Sequence, residues 1–241
     1  MTARDRNPEY YGRIPGWSNL SYRRRDQIKR WTLHVLTGVG LFFIVSVFFW
    51  MISTSLRPTG EMFTRPLSYL PETWTLEQYR NMFTETQFVT YYLNSIFVSM
   101  GVIVLTTSIS TLGGYGLTRI DIPFKKTFAR TILFGYMFPP ILLAIPMFIF
   151  WRQFGLVDSY IGLILAETAI SLPFSLWMMW KFFQTVPIAL EESAMMSGAS
   201  QFRAFYDIAL PLAKPGMIAV AVYSYAVAWN EYTIPRILMV S

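Results

Sequence analysis

The fold class this sequence predicts is all-α, a polytopic membrane helix bundle. Hydrophobic residues fill 54% of the 241 positions and charged residues only 14%, with a mean hydropathy of +0.38. That balance favours the bilayer over water as solvent. Five apolar stretches approach or exceed the roughly 20 residues that a membrane helix requires. The basic residues between them gather on alternate sides, the pattern that sets membrane orientation. There is no cysteine, which excludes a disulfide framework and any thiolate metal or redox site.

Residues 1–30 read as a basic N-terminal tail and residues 31–241 as the membrane domain. The run Arg23-Arg24-Arg25 with Lys29 and Arg30 adjoins the first span, so it reads as an anchor near anionic lipid and not as a nucleic-acid site. Span one, Trp31 to Leu56, carries no Asp, Glu, Lys or Arg. It exceeds the about 7–15 residues of a signal-peptide core and is expected to remain as an anchor. The next segment, Arg57 to Glu85, contains Pro58, Pro66 and Pro71, after which Thr75 is placed to cap a short helix running to Phe83. It is expected to form a small cap on the outer face.

Span two, Gln87 to Thr118, is again free of charge. Gly113, Gly114 and Gly116 allow another helix to approach it closely. An inside loop, Arg119 to Arg130, precedes span three, Thr131 to Trp151. Pro139, Pro140 and Pro146 remove backbone donors there, so a kink is expected. A short outside turn near Asp158 leads to span four, Ser159 to Trp180, with one acid, Glu167. Span five, Pro215 to Asn230, falls short of a roughly 30 Å core at about 1.5 Å per residue. That helix must continue past Glu231 or break there.

With the N-terminus inside, the inside segments hold fifteen of the twenty basic residues, leaving Arg57, Arg65, Arg80, Arg152 and Arg236 outside. Lys and Arg are retained on the cytoplasmic side during insertion, so the asymmetry predicts a cytoplasmic N-terminus. His34, the sole histidine, lies near the inner boundary and reads as an interfacial side chain, with no metal assigned.

The inside loop at residues 184–215 is rich in helix formers and in punctuation. Pro187 suits a first helical turn, Glu191 and Glu192 favour its positive dipole end, and Gly198 stops the helix near Ser197. Ser200 caps a second helix, in which Phe202, Phe205, Tyr206 and Ala209 share one face before Pro211 ends it. Small residues at Ser193, Ala194, Ser197, Gly198 and Ala199 let another surface come close, and the acids can pair with basic groups on it. The pattern fits a docking knob or an interfacial helix hairpin lying on its own bilayer.

The run Glu191, Glu192, Ser193, Ala194, then Gly198, Ala199, Phe205, Ile208, Leu210 and Pro211 resembles the EAA loop of ABC importer permeases. The segments PLSYLPETWTLEQYRNMF, GGYGLTR, MFPPILLAIP, GLVDSYIGLIL and FFQTVP resemble the maltose-type carbohydrate permeases. The likeness covers most of residues 33–235. It implies the type I ABC importer transmembrane fold in the inner membrane and a second permease subunit. It further implies two cytoplasmic ATP-binding subunits that each grip one such loop, an extracytoplasmic solute-binding protein, and a carbohydrate substrate. On this resemblance Glu191, Glu192, Ser193, Ala194, Ser197, Gly198, Ala199, Phe205, Leu210 and Pro211 form the ATPase-docking set. Two positions depart: Ser193 stands where the family usually has Ala, and Ser197 where it usually has Asp. The family also carries a sixth span, whereas this sequence stops at Ser241 after the fifth.

An ionisable group within a span is costly and usually has a reason. Glu231 sits in Trp229-Asn230-Glu231-Tyr232, which joins aromatic surface to hydrogen-bonding groups as a sugar passage would need. A structural bond to a partner subunit fits these residues as well. Glu167 could pair with the family's sixth span or snorkel outward. No GxxxxGK[ST] run occurs, so ATP and its Mg ion are expected on partner subunits and no cofactor on this chain. A secondary transporter coupled through Glu167 or Glu231 is the competing reading; no nucleophile motif or carboxylate cluster recommends an enzyme.

Overall fold

The computed structural model describes residues 22–61, 70–121 and 123–239. Positions 1–21 of the expected tail, together with Arg65 and Pro66, lie outside the described residues. The chain divides into two compact units, residues 1–88 and 89–241.

In the first unit, α1 (Tyr22–Ser55) runs for 34 residues. The basic run Arg23 to Arg30 is therefore helical and continuous with the apolar stretch. Nearly every apolar side chain of α1 is exposed, as expected of a helix whose solvent is lipid. A 3-10 turn, Thr59–Glu61, and α2 (Glu77–Thr84) follow. The N-cap position of α2 is Leu76, not the expected Thr75, although the Glu77 N–H does donate to Thr75 Oγ1 at 3.1 Å. Helix α2 folds back on the end of α1, with Tyr79 OH donating to Ser55 Oγ at 3.0 Å and Gln78 Nε2 to Thr59 Oγ1 at 2.9 Å.

The second unit is organised around α6 (Tyr160–Phe183), a 24-residue helix. It packs against α4 (Lys125–Gly135), α5 (Pro140–Gln153), α10 (Lys214–Asn230) and α11 (Thr233–Leu238). It also crosses α3 (Phe88–Arg119). That crossing is tight at Gly114, where a Cβ would stand 2.8 Å from the backbone of Met179 and Trp180. Of the three glycines expected to permit close approach, Gly116 meets among the described residues only Ile120, just past the end of α3.

Small hydroxyl residues fill the seam. Thr106, Ser110, Ser171, Ser175 and Ser224 are buried, and Thr106 Oγ1 and Ser171 Oγ lie 3.0 Å apart across α3 and α6. Such residues let membrane helices close up while each hydroxyl bonds locally or across.

Among the described residues three helices, α1, α3 and α6, are long and apolar enough to cross a membrane, or four if residues 201–212 and α10, bent by 68°, count as one span. The expected third span is not one helix. It is divided into α4 and α5 by residues 136–139, because Pro139 and Pro140 have no N–H to return to the preceding turn. Pro146, expected to contribute to the kink, lies inside α5. Rings pack at the break: Tyr136 on Phe174 at 5.4 Å, and Phe174 on Tyr223 at 4.8 Å. The fifth stretch breaks at Glu231 and resumes as α11, one of the two outcomes its length allowed.

The turn between α5 and α6 lies where expected. Ser159 caps α6 by accepting the Gly162 N–H at 3.0 Å, and the Asp158 N–H donates to the Leu238 carbonyl at 2.8 Å, tying α11 to this turn.

Candidate functional site

Residues 184–215 fold as two short helical arms. The first, α7 (Ile188–Met196), follows Pro187, whose extended backbone introduces the helix from the cap position. Its end is a complete Schellman motif: the Gly198 N–H donates to the Met195 carbonyl and the Ala199 N–H to the Ala194 carbonyl, both at 3.0 Å. Gly198 has φ +93°, a conformation that a Cβ disfavours. Ser197 covers the C-terminus, its Oγ donating to the Ser193 carbonyl at 3.0 Å.

The second arm opens with Ser200, whose Oγ accepts the Arg203 N–H at 3.3 Å, as its N-cap role requires. It comprises α8 (Gln201–Ala204), a π turn at Phe205–Ala209, and α9 (Leu210–Leu212). Two expectations are corrected here. Pro211 does not end the helix; the arm runs through Leu212 and then meets α10 at a 68° bend. The face predicted from Phe202, Phe205, Tyr206 and Ala209 is also split. Phe205 and Ala209 are buried, whereas Phe202 is 75% exposed and Tyr206 60%. The wide turn, closed by the Leu210 N–H on the Phe205 carbonyl, adds a residue to the period and rotates the buried line onto Phe205, Ala209 and Ala213.

Between the arms lies a polar notch lined by Ala194, Ser197, Gly198, Ala199, Arg203 and Asp207. Arg203 Nε and Asp207 Oδ2 are 3.4 Å apart on its exposed wall. Glu192, Ser193 and Pro211 are exposed, Ala194, Ala199 and Leu210 partly so. These residues, with Ser197 and Gly198, are open to a partner.

Glu191 and Phe205 are not. Glu191 is buried, its Oε1 2.7 Å from Arg119 Nη2 and accepting from Nε at 2.7 Å. Its Oε2 accepts from Tyr115 OH at 2.8 Å. Arg119 Nη2 also donates to the Val186 carbonyl at 2.9 Å. Phe205 packs against the Tyr115 ring at 4.6 Å, and Phe183 lies on that same ring at 5.6 Å. Of the two acids expected on a docking surface, Glu192 is exposed, whereas the Glu191 carboxylate is engaged inside the chain. Sequence reasoning counted Arg119 as a topological charge and passed over Tyr115. The signal was the spacing of a tyrosine and an arginine four residues apart at the end of a span, which places both on one helix face.

The other candidates gather at the far end of α10. Trp229 sits edge-on to Tyr92 of α3 at 5.7 Å and beside Tyr225 at 5.4 Å. Asn230 Nδ2 donates to the Ala226 carbonyl at 2.7 Å. Glu231 Oε1 accepts the N–H groups of Thr233 at 2.8 Å and Ile234 at 3.3 Å, so it caps the start of α11. Tyr232 is exposed. Glu167 is only 2% exposed, which removes the snorkelling option, and among the described residues its Oε2 has no hydrogen-bond partner. His34 Nδ1 lies 2.5 Å from the Arg30 carbonyl on the surface of α1.

Residues 110–241 match the family model described as the binding-protein-dependent transport system inner membrane component. A diacetylchitobiose uptake system permease protein of Streptomyces coelicolor is 32% identical over 98% of this chain and 78% of its own length. An inner membrane ABC transporter permease protein of Escherichia coli K12 is 35% identical over 85% of the chain and 74% of its own length. A trehalose transport system permease protein of Mycobacterium tuberculosis is 33% identical over 76% of the chain and 66% of its own length. The fold is shared with a bacterial ABC transporter involved in import of the acidic polysaccharide alginate, at a TM-score of 0.81 and 24% identity, over 92% of this chain and 78% of that one. With its matched segment running from the second half of α3 through both arms of the loop to the end of the chain, the protein belongs to the inner membrane component family of binding-protein-dependent transport systems.

Proposed function

We propose that this chain is a permease subunit of an ATP-driven importer for a carbohydrate: a sugar, oligosaccharide or polyol. The observation that carries the reading is the pair of helical arms at residues 184–215, an exposed, polar, small-residue notch presented by a family member whose relatives are named for sugar transport. The notch suits a protein partner better than a lipid surface, since Ser197, Arg203 and Asp207 line it. Glu192, Ser193, Ala194, Ser197, Gly198, Ala199, Leu210 and Pro211 form the surface that an ATPase would grip, while Glu191 and Phe205 hold its shape from within.

In this reading the chain crosses the inner membrane five times with its N-terminus cytoplasmic, an orientation supported by the fifteen basic residues on the inside. A second permease completes the pore, and two ATPases bind ATP and Mg. An external solute-binding protein delivers the substrate. Closure of the ATPase pair draws the two docking loops together and shifts the population toward the outward-facing state; hydrolysis reverses it. This chain performs no catalysis of its own. Trp229, Asn230 and Tyr232 are assigned to the translocation path, an aromatic and amide surface of the kind that sugars favour; Glu231 holds the helix junction beside them.

The test is to copurify the chain with candidate ATPases and solute-binding proteins and to measure which ligand stimulates ATP hydrolysis. Stimulation by a saccharide is expected. ATP-independent uptake driven by an ion gradient would overturn the assignment in favour of a secondary transporter.

A further inference from the structure

The docking loop is joined covalently only to α6 and α10, yet its buried carboxylate is held by α3. Both oxygens of Glu191 are engaged from that helix, one by Arg119 at 2.7 Å and the other by Tyr115 at 2.8 Å. The same two residues reach the rest of the loop. Arg119 binds the Val186 carbonyl in the turn that leaves α6, and the Tyr115 ring carries Phe205 of the second arm. The covalent exits are by comparison a turn and a 68° bend. A charge-assisted pair engaged at both carboxylate oxygens and closed to water has one geometry, unlike a surface pair that exchanges partners.

We propose that Arg119, Tyr115 and Glu191 are positioning residues that fasten the docking loop to α3, so that loop and helix move as one body when the loop is displaced. This rests on the docking reading above. Arg119 and Tyr115 touch neither nucleotide nor solute in this scheme. They decide which helix receives the stroke: α3 moves with the loop, and adjustment is left to the bend before α10. A coupling network needs such an element with a fixed internal geometry, since a compliant joint would absorb the displacement.

The chain has no cysteine, so two can be introduced without background. Ile120, just past α3, and Ile188, at the start of α7, are 51% and 49% exposed and lie outside the docking set. Spin labels at Ile120→Cys and Ile188→Cys, in the complex purified with its ATPases, report the separation of loop and helix without nucleotide and after trapping with ATP, Mg and vanadate. In the wild-type background we expect one narrow distance, the same in both states to within about 2 Å. Arg119→Met should broaden it or shift it between states by about 5 Å, the order of one helical turn, while the ATPase still copurifies. Exchange of the pair, Arg119→Glu with Glu191→Arg, should restore the narrow distance, which a purely structural loss would not allow. A distance that changes between states in the wild-type background, or one that stays narrow and constant in Arg119→Met, overturns the fastening role while leaving ATPase docking intact. Failure of the ATPase to copurify with the unmutated chain overturns the docking reading and the fastening role together.

Discussion

Arg119 and Glu191, 72 positions apart in the chain, form an ion pair at 2.7 Å with side chains only 7% and 3% exposed. Removing one partner from such a pair leaves the other charged and unpaired out of water. Arg119→Met is therefore expected to destabilise the protein by about 3–5 kcal/mol. The double variant Arg119→Met with Glu191→Met should recover most of the loss, since buried pairs are often replaceable by apolar residues of similar size. Thermal unfolding in detergent measures both, and a double variant as unstable as the single one would show that the effect is not electrostatic.

Gly198 separates a backbone effect from a surface effect. A Cβ there would meet nothing within 4 Å, but φ is +93°, so Gly198→Ala should cost about 1 kcal/mol through the backbone alone and leave ATPase capture intact. Gly198→Trp fills the notch. It should insert in the membrane normally and lose ATPase copurification; retention of the ATPase would remove the notch from the docking surface.

At the α3–α6 crossing, Gly114→Ala places a Cβ 2.7 Å from the Met179 Cβ and 2.8 Å from backbone. The helices must separate, at about 1–3 kcal/mol. Gly116→Ala, whose Cβ would find among the described residues only Ile120, just past α3, at 3.8 Å, should be neutral or slightly stabilising. Comparing the two melting temperatures tests the crossing, and equal values would contradict it.

Thr106→Val deletes the hydroxyl that faces Ser171 at 3.0 Å. Interhelical side-chain hydrogen bonds in membranes average about 0.6 kcal/mol, so a small loss is expected, measurable by unfolding in detergent. A loss of several kcal/mol would mean that the seam works as a cooperative network.

Glu231→Gln keeps the oxygen that accepts from Thr233 and Ile234, whereas Glu231→Ala removes it. The Ala variant should lose about 0.5–2 kcal/mol of cap stabilisation, seen as faster hydrogen exchange at residues 233–238. The Gln variant should stay close to wild type. Equal exchange in all three proteins would dismiss the cap.

What could be read from the residues was what depends on near neighbours. The bounds of α3 and α6 and the end of α1 follow from long apolar runs, and Ser159, Ser200 and Gly198 act where local rules place them. The exposure of Phe202 and Tyr206 was not legible because a fixed 3.6-residue period does not say which part of a broad apolar face meets the bundle, nor register the π turn that sets the phase of the positions after Phe205. The Glu191 pairing was invisible for a different reason. Its partner lies on a helix brought alongside by tertiary packing, and no periodicity links positions so far apart.

The division of α4 from α5 carries a consequence for the surroundings of the protein. Pro140 brings no N–H to the Tyr136 carbonyl one turn earlier, the Gly135 carbonyl is met by the Phe138 N–H at 3.4 Å in place of Pro139, and Tyr136, Met137 and Phe138 are all well exposed. Acyl chains have no hydrogen to donate, so irregular backbone at membrane depth is tolerated only against protein or a wetted cavity. Within a bilayer, the irregular backbone at residues 136–139 would therefore call for a neighbouring protein surface or water beside it, whereas the exposed rings on either side of it suit lipid.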